Sequence, residues 1–227
     1  MSLQTILSVA ESVGINDHKF AGQMLSRNMR VSTSQIVTAQ PFQFTIKPMN
    51  YLLYSQNRAV LSTLRQADRI NEQYLNFGST GWLNYIKYQG DMTGPQAAAC
   101  QVQPVAIGAT SITLGSLPAI TSTLFVVEVG DFIQIDRYAY IVTANVQRGV
   151  GATVTVPIHR PLMTTVSVAT NAVIGQYGTT ASLGGSTYTG ITFPVVLREY
   201  PTYTLVPMTN DSFISWDGGF QAIEVVL

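Results

Sequence analysis

Few side chains in this sequence could carry acid–base or nucleophilic chemistry. It holds one cysteine, Cys100, and two histidines, His18 and His159. A Cys–His pair works when the imidazole takes the thiol proton and frees a thiolate to attack. The two need only meet in space, so separation in sequence does not exclude a Cys100–His159 dyad. The surroundings of each point elsewhere. Cys100 follows Ala97, Ala98 and Ala99 and reads as small buried filler. His159 stands between Ile158 and Arg160-Pro161 and reads as a surface or hydrogen-bonded histidine at a strand end. Zinc needs cysteine and histidine ligands at short spacing, and no such pattern occurs. Glycoside hydrolysis needs two carboxylates flanking one bond. Asp131 and Asp136 are five residues apart around a strand, a spacing that does not establish this, and Val129-Gly130-Asp131 reads as the turn before that strand. No phosphate-binding loop with its lysine is present, and Gly184-Gly185 opens no helix. The expectation is a protein that is not an enzyme, with no catalytic residue, no cofactor and no metal site.

The remaining chemistry is that of contact. Tyr74, Phe77, Trp82 and Tyr85 concentrate aromatic surface in one stretch, and Arg58 and Arg69 lie just before it. Tyrosine and tryptophan suit partly wet interfaces, so these six are the candidate subunit-contact residues. Aromatics serve equally well inside ordinary strands, and an arginine cluster serves as a solvated helix face; both readings stand beside the first. A rival from another class is a β-sandwich binding module for host-surface carbohydrate, with Trp82 or Trp216 as its stacking platform.

Composition favours contact. Of 227 residues, 46% are hydrophobic and only 11% charged, against about 25% charged in an average soluble domain. Interface cores are depleted in charge, whereas a membrane span would need about 18 consecutive apolar residues, which do not occur. Formal net charge is zero, so nothing general favours nucleic acid or an anionic membrane, and membrane insertion is not expected. Residues 1–100 hold eight basic and five acidic groups and residues 101–227 four and seven, an asymmetry that suits head-to-tail stacking. A single cysteine fits folding in a reducing cytoplasm. No charged segment followed by an apolar core opens the sequence, so no signal peptide is expected.

The elements that must position these residues are mostly strands. Leu3, Ile6, Leu7, Ala10 and Val13 predict a helix over residues 2–13, stopped by Gly14, within an N-terminal arm or docked helix of residues 1–29. Residues 15–40 read as polar and irregular. Phe42, Phe44 and Ile46 alternate with Gln43, Thr45 and Lys47, a strand bounded by Pro41 and Pro48. Residues 54–70 predict the one amphipathic helix, with Val60, Leu61, Leu64 and Ala67 on its apolar stripe, Ser55 as N-cap, and Asp68 able to pair with Arg65 or Arg69. Residues 82–88 predict a strand. From residue 95 many short strands are expected: an alternating run at 111–114, then 132–135, 140–143 and 153–156 at short intervals, with a flexible hairpin loop at 147–152. That spacing suggests a small β barrel or sandwich. Residues 175–190, rich in Gly, Ser and Thr, read as a loop or linker that a partner could order. Strands resume at 193–197, 203–206, 213–216 and 220–227, and the last must pair within the fold or with a neighbour. The organisation expected is a β core of residues 30–94 plus 190–227, with a smaller β domain of residues 95–189 inserted.

Several stretches together resemble tail and baseplate structural proteins of tailed bacteriophages. They are Met24-Leu25-Ser26-Arg27-Asn28-Met29-Arg30 leading to Pro41-Phe42-Gln43-Phe44; Tyr54-Ser55-Gln56-Asn57-Arg58 with Ala67-Asp68-Arg69; Val129-Gly130-Asp131-Phe132-Ile133-Gln134-Ile135 continuing through Tyr140-Ile141-Val142 to Val154-Thr155-Val156-Pro157-Ile158; and Arg198-Glu199-Tyr200-Pro201 with Phe220-Gln221-Ala222-Ile223-Glu224. The resemblance spans most of residues 24–227, through motifs that are each short. It implies a mainly β fold: a split β-barrel or sandwich core with an inserted β domain, repeated as a ring (trimer or hexamer) around a tail axis. It implies a collar, a distal tail ring or a baseplate piece linking tube, sheath and hub. The partners implied are copies of itself and other tail or baseplate proteins, in a virion assembled in the host cytoplasm. The family has no catalytic residues to carry over.

Overall fold

The computed structural model describes residues 3–18, 21–25, 31–35, 40–67, 69–180 and 183–226. Strand covers 42% of the chain and helix 13%, so the fold is mainly β and antiparallel sheets position its surface. The chain divides into two compact units: a two-piece unit, Met1–Leu75 with Pro194–Leu227, and an insert, Asn76–Phe193.

In chain order, the first piece runs α1 (Leu3–Ser8), β1 (Ala10–Asn16), β2 (Ala21–Leu25), β3 (Val31–Gln35), β4 (Gln43–Pro48), β5 (Leu52–Leu53), α2 (Tyr54–Ala67) and β6 (Gln73–Asn76). The insert holds α3 (Gly94–Ala99), β7 (Gln101–Val102), β8 (Ser111–Gly115), β9 (Phe125–Val127), β10 (Phe132–Ile135), β11 (Tyr138–Ile141), β12 (Val146–Gln147), β13 (Val154–Pro157), β14 (Thr170–Asn171) and β15 (Val173–Ile174). The return piece is β16 (Thr192–Glu199), β17 (Thr202–Met208), β18 (Asp211–Asp217) and β19 (Phe220–Glu224).

In the two-piece unit, one sheet has the order β1-β4-β19-β16-β6. The alternation read at residues 42–46 is that of β4, whose Phe44 and Ile46 are buried with Phe42 just before them. The apolar end of the chain pairs inside the fold: β19 lies between β4 and β16, burying Phe220 and Ala222. Its Glu224 is also buried, and its carboxylate accepts the Phe42 N–H at 3.0 Å. A second sheet has the order β17-β18-β5.

The expected N-terminal helix is shorter than its spacing suggested. Leu3, Ile6 and Leu7 are buried, but α1 stops at Ser8. Val13 and Gly14 stand opposite Ile46 and Thr45 in β1–β4 pairing. The ladder satisfies backbone groups that an isolated short helix would leave marginal, so sheet pairing wins over helical spacing. Residues 3–16 are thus part of the two-piece unit rather than an arm. Residues 15–40, expected to be irregular, contain the hairpin β2–β3.

Helix α2 buries the stripe predicted for it, Val60, Leu61, Leu64 and Ala67. Ser55 is not its N-cap, because the helix already starts at Tyr54. The cap comes from the β17–β18 hairpin instead. Asp211 accepts the Ser55 backbone N–H at 3.3 Å and its hydroxyl at 2.6 Å, and the Ser55 hydroxyl holds the Asp211 carboxyl below the usual carboxylate range. The pairing expected of Asp68 lies outside the described residues.

The insert is wider than expected. Its boundaries fall at residues 76 and 193 rather than 95 and 189. The cause is packing by the aromatic stretch. The Phe77 ring meets Phe193 edge-on at 5.5 Å, Tyr85 lies 4.9 Å from Phe132, and Tyr88 donates its hydroxyl to the Val126 carbonyl at 2.6 Å. The shift in composition at residue 95 marks where charge thins out, not where packing divides. The two ends of the insert meet at a neck. Phe77 N–H donates to the Ile191 carbonyl at 3.0 Å, and the Asn76 amide donates to the Thr189 carbonyl at 3.0 Å. A Cβ on Gly78 would sit 2.4 Å from the Thr189 oxygen, so only glycine fits there. The buried Gln134 then clamps the departing strand, accepting Thr192 N–H at 2.7 Å and donating to its carbonyl at 2.8 Å.

Within the insert the sheets are β13-β8-β7-β14, β11-β10-β15 and β12-β9. They enclose one core that includes Val102, Leu114, Val127, Ile133, Tyr140 and Val156. The strand expected at 82–88 is absent; those residues form turns. Residues 175–190 do not form a simple linker. Bridges join Ile174 to Tyr177, Thr179 to Thr189 and Leu183 to Ser186, and Tyr177 packs on the core.

Candidate interaction surface

The six candidate contact residues do not gather at one place. Arg58, Arg69 and Tyr74 belong to the two-piece unit, and Phe77, Trp82 and Tyr85 to the insert. Phe77 is 1% exposed and is core, so it offers nothing to a neighbour. Tyr74 and Tyr85 are half-buried. Trp82 is 51% exposed, held in a turn rather than a strand. Arg58 is exposed on α2, and Arg69 is exposed in the turn that follows it.

Sequence reasoning missed the surface that surrounds those arginines. Arg58 and Arg65 are seven apart on α2, which puts them on one helical stripe, and Arg69 follows in the turn after the helix. Arg65 reaches β17. Its guanidinium donates to the Tyr203 hydroxyl at 2.7 Å and stacks over the Tyr203 ring at 5.4 Å. Tyr203 packs on Trp216 at 5.2 Å, Trp216 on Phe220 at 5.3 Å, and Phe220 on Tyr200 at 5.0 Å. This stack ties the surface to the core of the two-piece unit and fixes where Arg65 points. It also withdraws Trp216, 7% exposed, as a platform for a sugar.

Two adjoining pockets share Tyr200. A groove of about 440 Å³ is lined by Arg65, Tyr200, Tyr203 and Leu205, and a pocket of about 210 Å³ by Arg69, Arg198, Glu199 and Tyr200. The Tyr200 hydroxyl is buried and makes no hydrogen bond of good geometry. Burial pushes its phenol up to about 12, Tyr203 adding to the rise and Arg65 opposing it. Among the described residues, three arginines and two phenols thus line these pockets with one carboxylate, Glu199.

Strand β17 forms the wall of the groove. It is seven uncharged residues, and Leu205, Val206 and Met208 on it are 43%, 45% and 42% exposed. Among the described residues, it pairs only with β18. Met208 stands opposite Asp211 across a two-residue turn, which makes that pair hydrogen-bonded. Antiparallel alternation then turns the main-chain groups of Tyr203, Leu205 and Pro207 to the open edge. Proline has no N–H to lose there, as expected of an edge strand.

The residues read as candidate chemistry have structural partners. The Cys100 thiol is buried, approaches the Met92 sulfur at 3.7 Å, and burial pushes it up to about 11, so it keeps its proton at neutral pH. His159 Nδ1 accepts the Ile141 N–H at 2.9 Å. Asp131 is fully buried and shapes its turn: its carboxylate accepts the N–H groups of Gln89 and Glu128, both at 2.8 Å. A cavity of about 230 Å³ on the insert is lined by Gln134, Asp136, Asn171 and Thr180 among others. Three of these spend their polar atoms on Thr192, Gln101 and Tyr188. Among the described residues no three His, Cys, Asp or Glu side chains gather as a metal site, and no helix is long and apolar enough to cross a membrane.

No family model matches the chain, and no curated protein matches its sequence.

Proposed function

We propose that this chain is a structural component of a bacteriophage tail. It forms a ring at the end of the tail tube or within the baseplate and links tube, sheath and hub through contacts with copies of itself and with other tail proteins. The observation that carries the reading is β17, an uncharged edge strand whose leucine, valine and methionine are left open to solvent. Such an edge invites pairing with another chain, and a protein that functions alone blunts it with charge. The low charge of the whole chain, 11%, supports the same reading, since broad neutral surfaces lose little on drying. Ring symmetry would make the contacts head-to-tail and closing. Mass photometry across a concentration series tests the proposal, with a trimer or hexamer as the expected species. The carbohydrate-binding alternative keeps one favourable observation, the exposed Trp82 indole. A glycan array with wild type and Trp82→Ala tests it; binding lost with the indole would establish it.

A further inference from the structure

We infer that the open edge of β17 and the adjoining arginine pockets form one docking site for an extended acidic segment of a partner protein, which adds to the sheet as a strand. The inference goes beyond the ring reading and stands even if the chain never closes a ring. Charge complementarity selects the occupant. Among the described residues, Arg65, Arg69 and Arg198 line the two pockets with Tyr200 and Tyr203, and Glu199 is the one carboxylate there. Guanidinium and phenol groups donate hydrogen bonds, and a carboxylate accepts them. The Tyr200 hydroxyl is a buried donor without a well-formed bond, which such a carboxylate would supply. Arg65 is already oriented by Tyr203, so little side-chain freedom is lost on binding.

The backbone selects an extended chain over a helix or a free anion. Tyr203 and Leu205 present N–H and C=O to the open side, and Pro207 presents only C=O. An added strand would therefore find two donors and three acceptors over five residues. Tyr203 and Leu205 share one face of β17, the face that meets Arg65. Every second side chain of the added strand would stand on that same face. An alternating acidic–apolar segment then places its carboxylates at the arginines and its apolar side chains on the opposite face, beside the exposed Val206 and Met208.

The test uses the full chain and a fluorescent eight-residue peptide of alternating Glu and Val, acetylated and amidated, in a polarisation titration. A Lys–Val peptide, a single-stranded DNA oligomer and free glutarate are run beside it. The Glu–Val peptide is expected to bind and the Lys–Val peptide not to. Arg65→Glu is expected to weaken binding at least about tenfold with the thermal midpoint unchanged. Arg198→Glu serves if Arg65→Glu fails to fold. Methylating the backbone nitrogens of only the Glu or only the Val residues separates strand addition from simple attraction. One set must abolish binding and the other spare it. No binding of the Glu–Val peptide overturns the inference. Equal binding of the DNA, competition by glutarate alone at matched charge, or indifference to both methylation sets overturns it as well.

Discussion

Asp131 is the buried charge whose removal should be felt most clearly in the insert. Its two carboxylate oxygens accept N–H groups from Gln89 and Glu128, both at 2.8 Å, with no exposed surface of its own. Asp131→Ala leaves two part-buried N–H donors without their acceptor. An orphaned buried group costs roughly 1–3 kcal/mol and one that water can reach costs less, so the loss is about 1–3 kcal/mol, reduced by relief of the cost of burying a carboxylate. The pH dependence has a definite sign. Burial is the largest influence on this carboxyl and raises it above its ordinary value of 3.8, against the backbone hydrogen bonds that lower it. A group with a raised folded pKa contributes stability that is complete below the unfolded value and is lost as pH rises through the folded one. The stability of wild type minus that of Asp131→Asn should therefore shrink as pH rises from about 3.5 to 7. Urea unfolding at several pH values measures that difference, and hydrogen exchange over residues 86–92 and 128–132 locates the loosening. A loss under about 0.5 kcal/mol for Asp131→Ala, or a difference that grows with pH, would refute the reasoning.

Trp82→Ala should weaken self-association while leaving the thermal midpoint within a degree or two, since the indole is half-exposed; mass photometry and a melting curve together check this. Phe77→Ala should do the reverse and cost roughly 3–5 kcal/mol, because its ring is core against Phe193, and urea titration measures it. Trp216→Ala should cost a similar amount and also free the Tyr203 ring that orients Arg65, visible as lost intrinsic fluorescence change on unfolding and a lower denaturation midpoint. Cys100 should resist iodoacetamide at pH 8 until the insert unfolds, since its buried thiol sits near 11; rapid labelling of native protein, read by mass spectrometry, would contradict that.

Period-two alternation finds β4 and β8, whose buried and less buried side chains alternate, whereas β10 and most of β16 are buried on both faces and show as short apolar runs. The stripe on α2 was legible for the corresponding helical reason. What escaped the sequence depends on partners distant along the chain. Helical spacing at Leu3, Ile6 and Leu7 ran on to Val13, yet β4 recruits Val13 into a ladder. The cap of α2 comes from Asp211, 156 residues from Ser55, and no local motif announces it. Phe77 and Trp82 are five residues apart and of similar type, but one is core and the other surface, a distinction set by Phe193 at the other end of the insert's sequence. Gly78 and Gly190 meet at the neck, where a Cβ on either would lie 2.7 Å from the other's Cα, and no local motif announces that contact. Candidate arginines were found as a cluster. That Arg65 is the one aimed at β17 required the Tyr203 ring to be in place.

Association tests the central claim most directly. Purified protein would be examined by mass photometry across a concentration series, and any assembly by electron cryomicroscopy. A defined trimer or hexamer, closing into a ring, is the predicted result. A monomer at every concentration, with no ring on the grid, would contradict it.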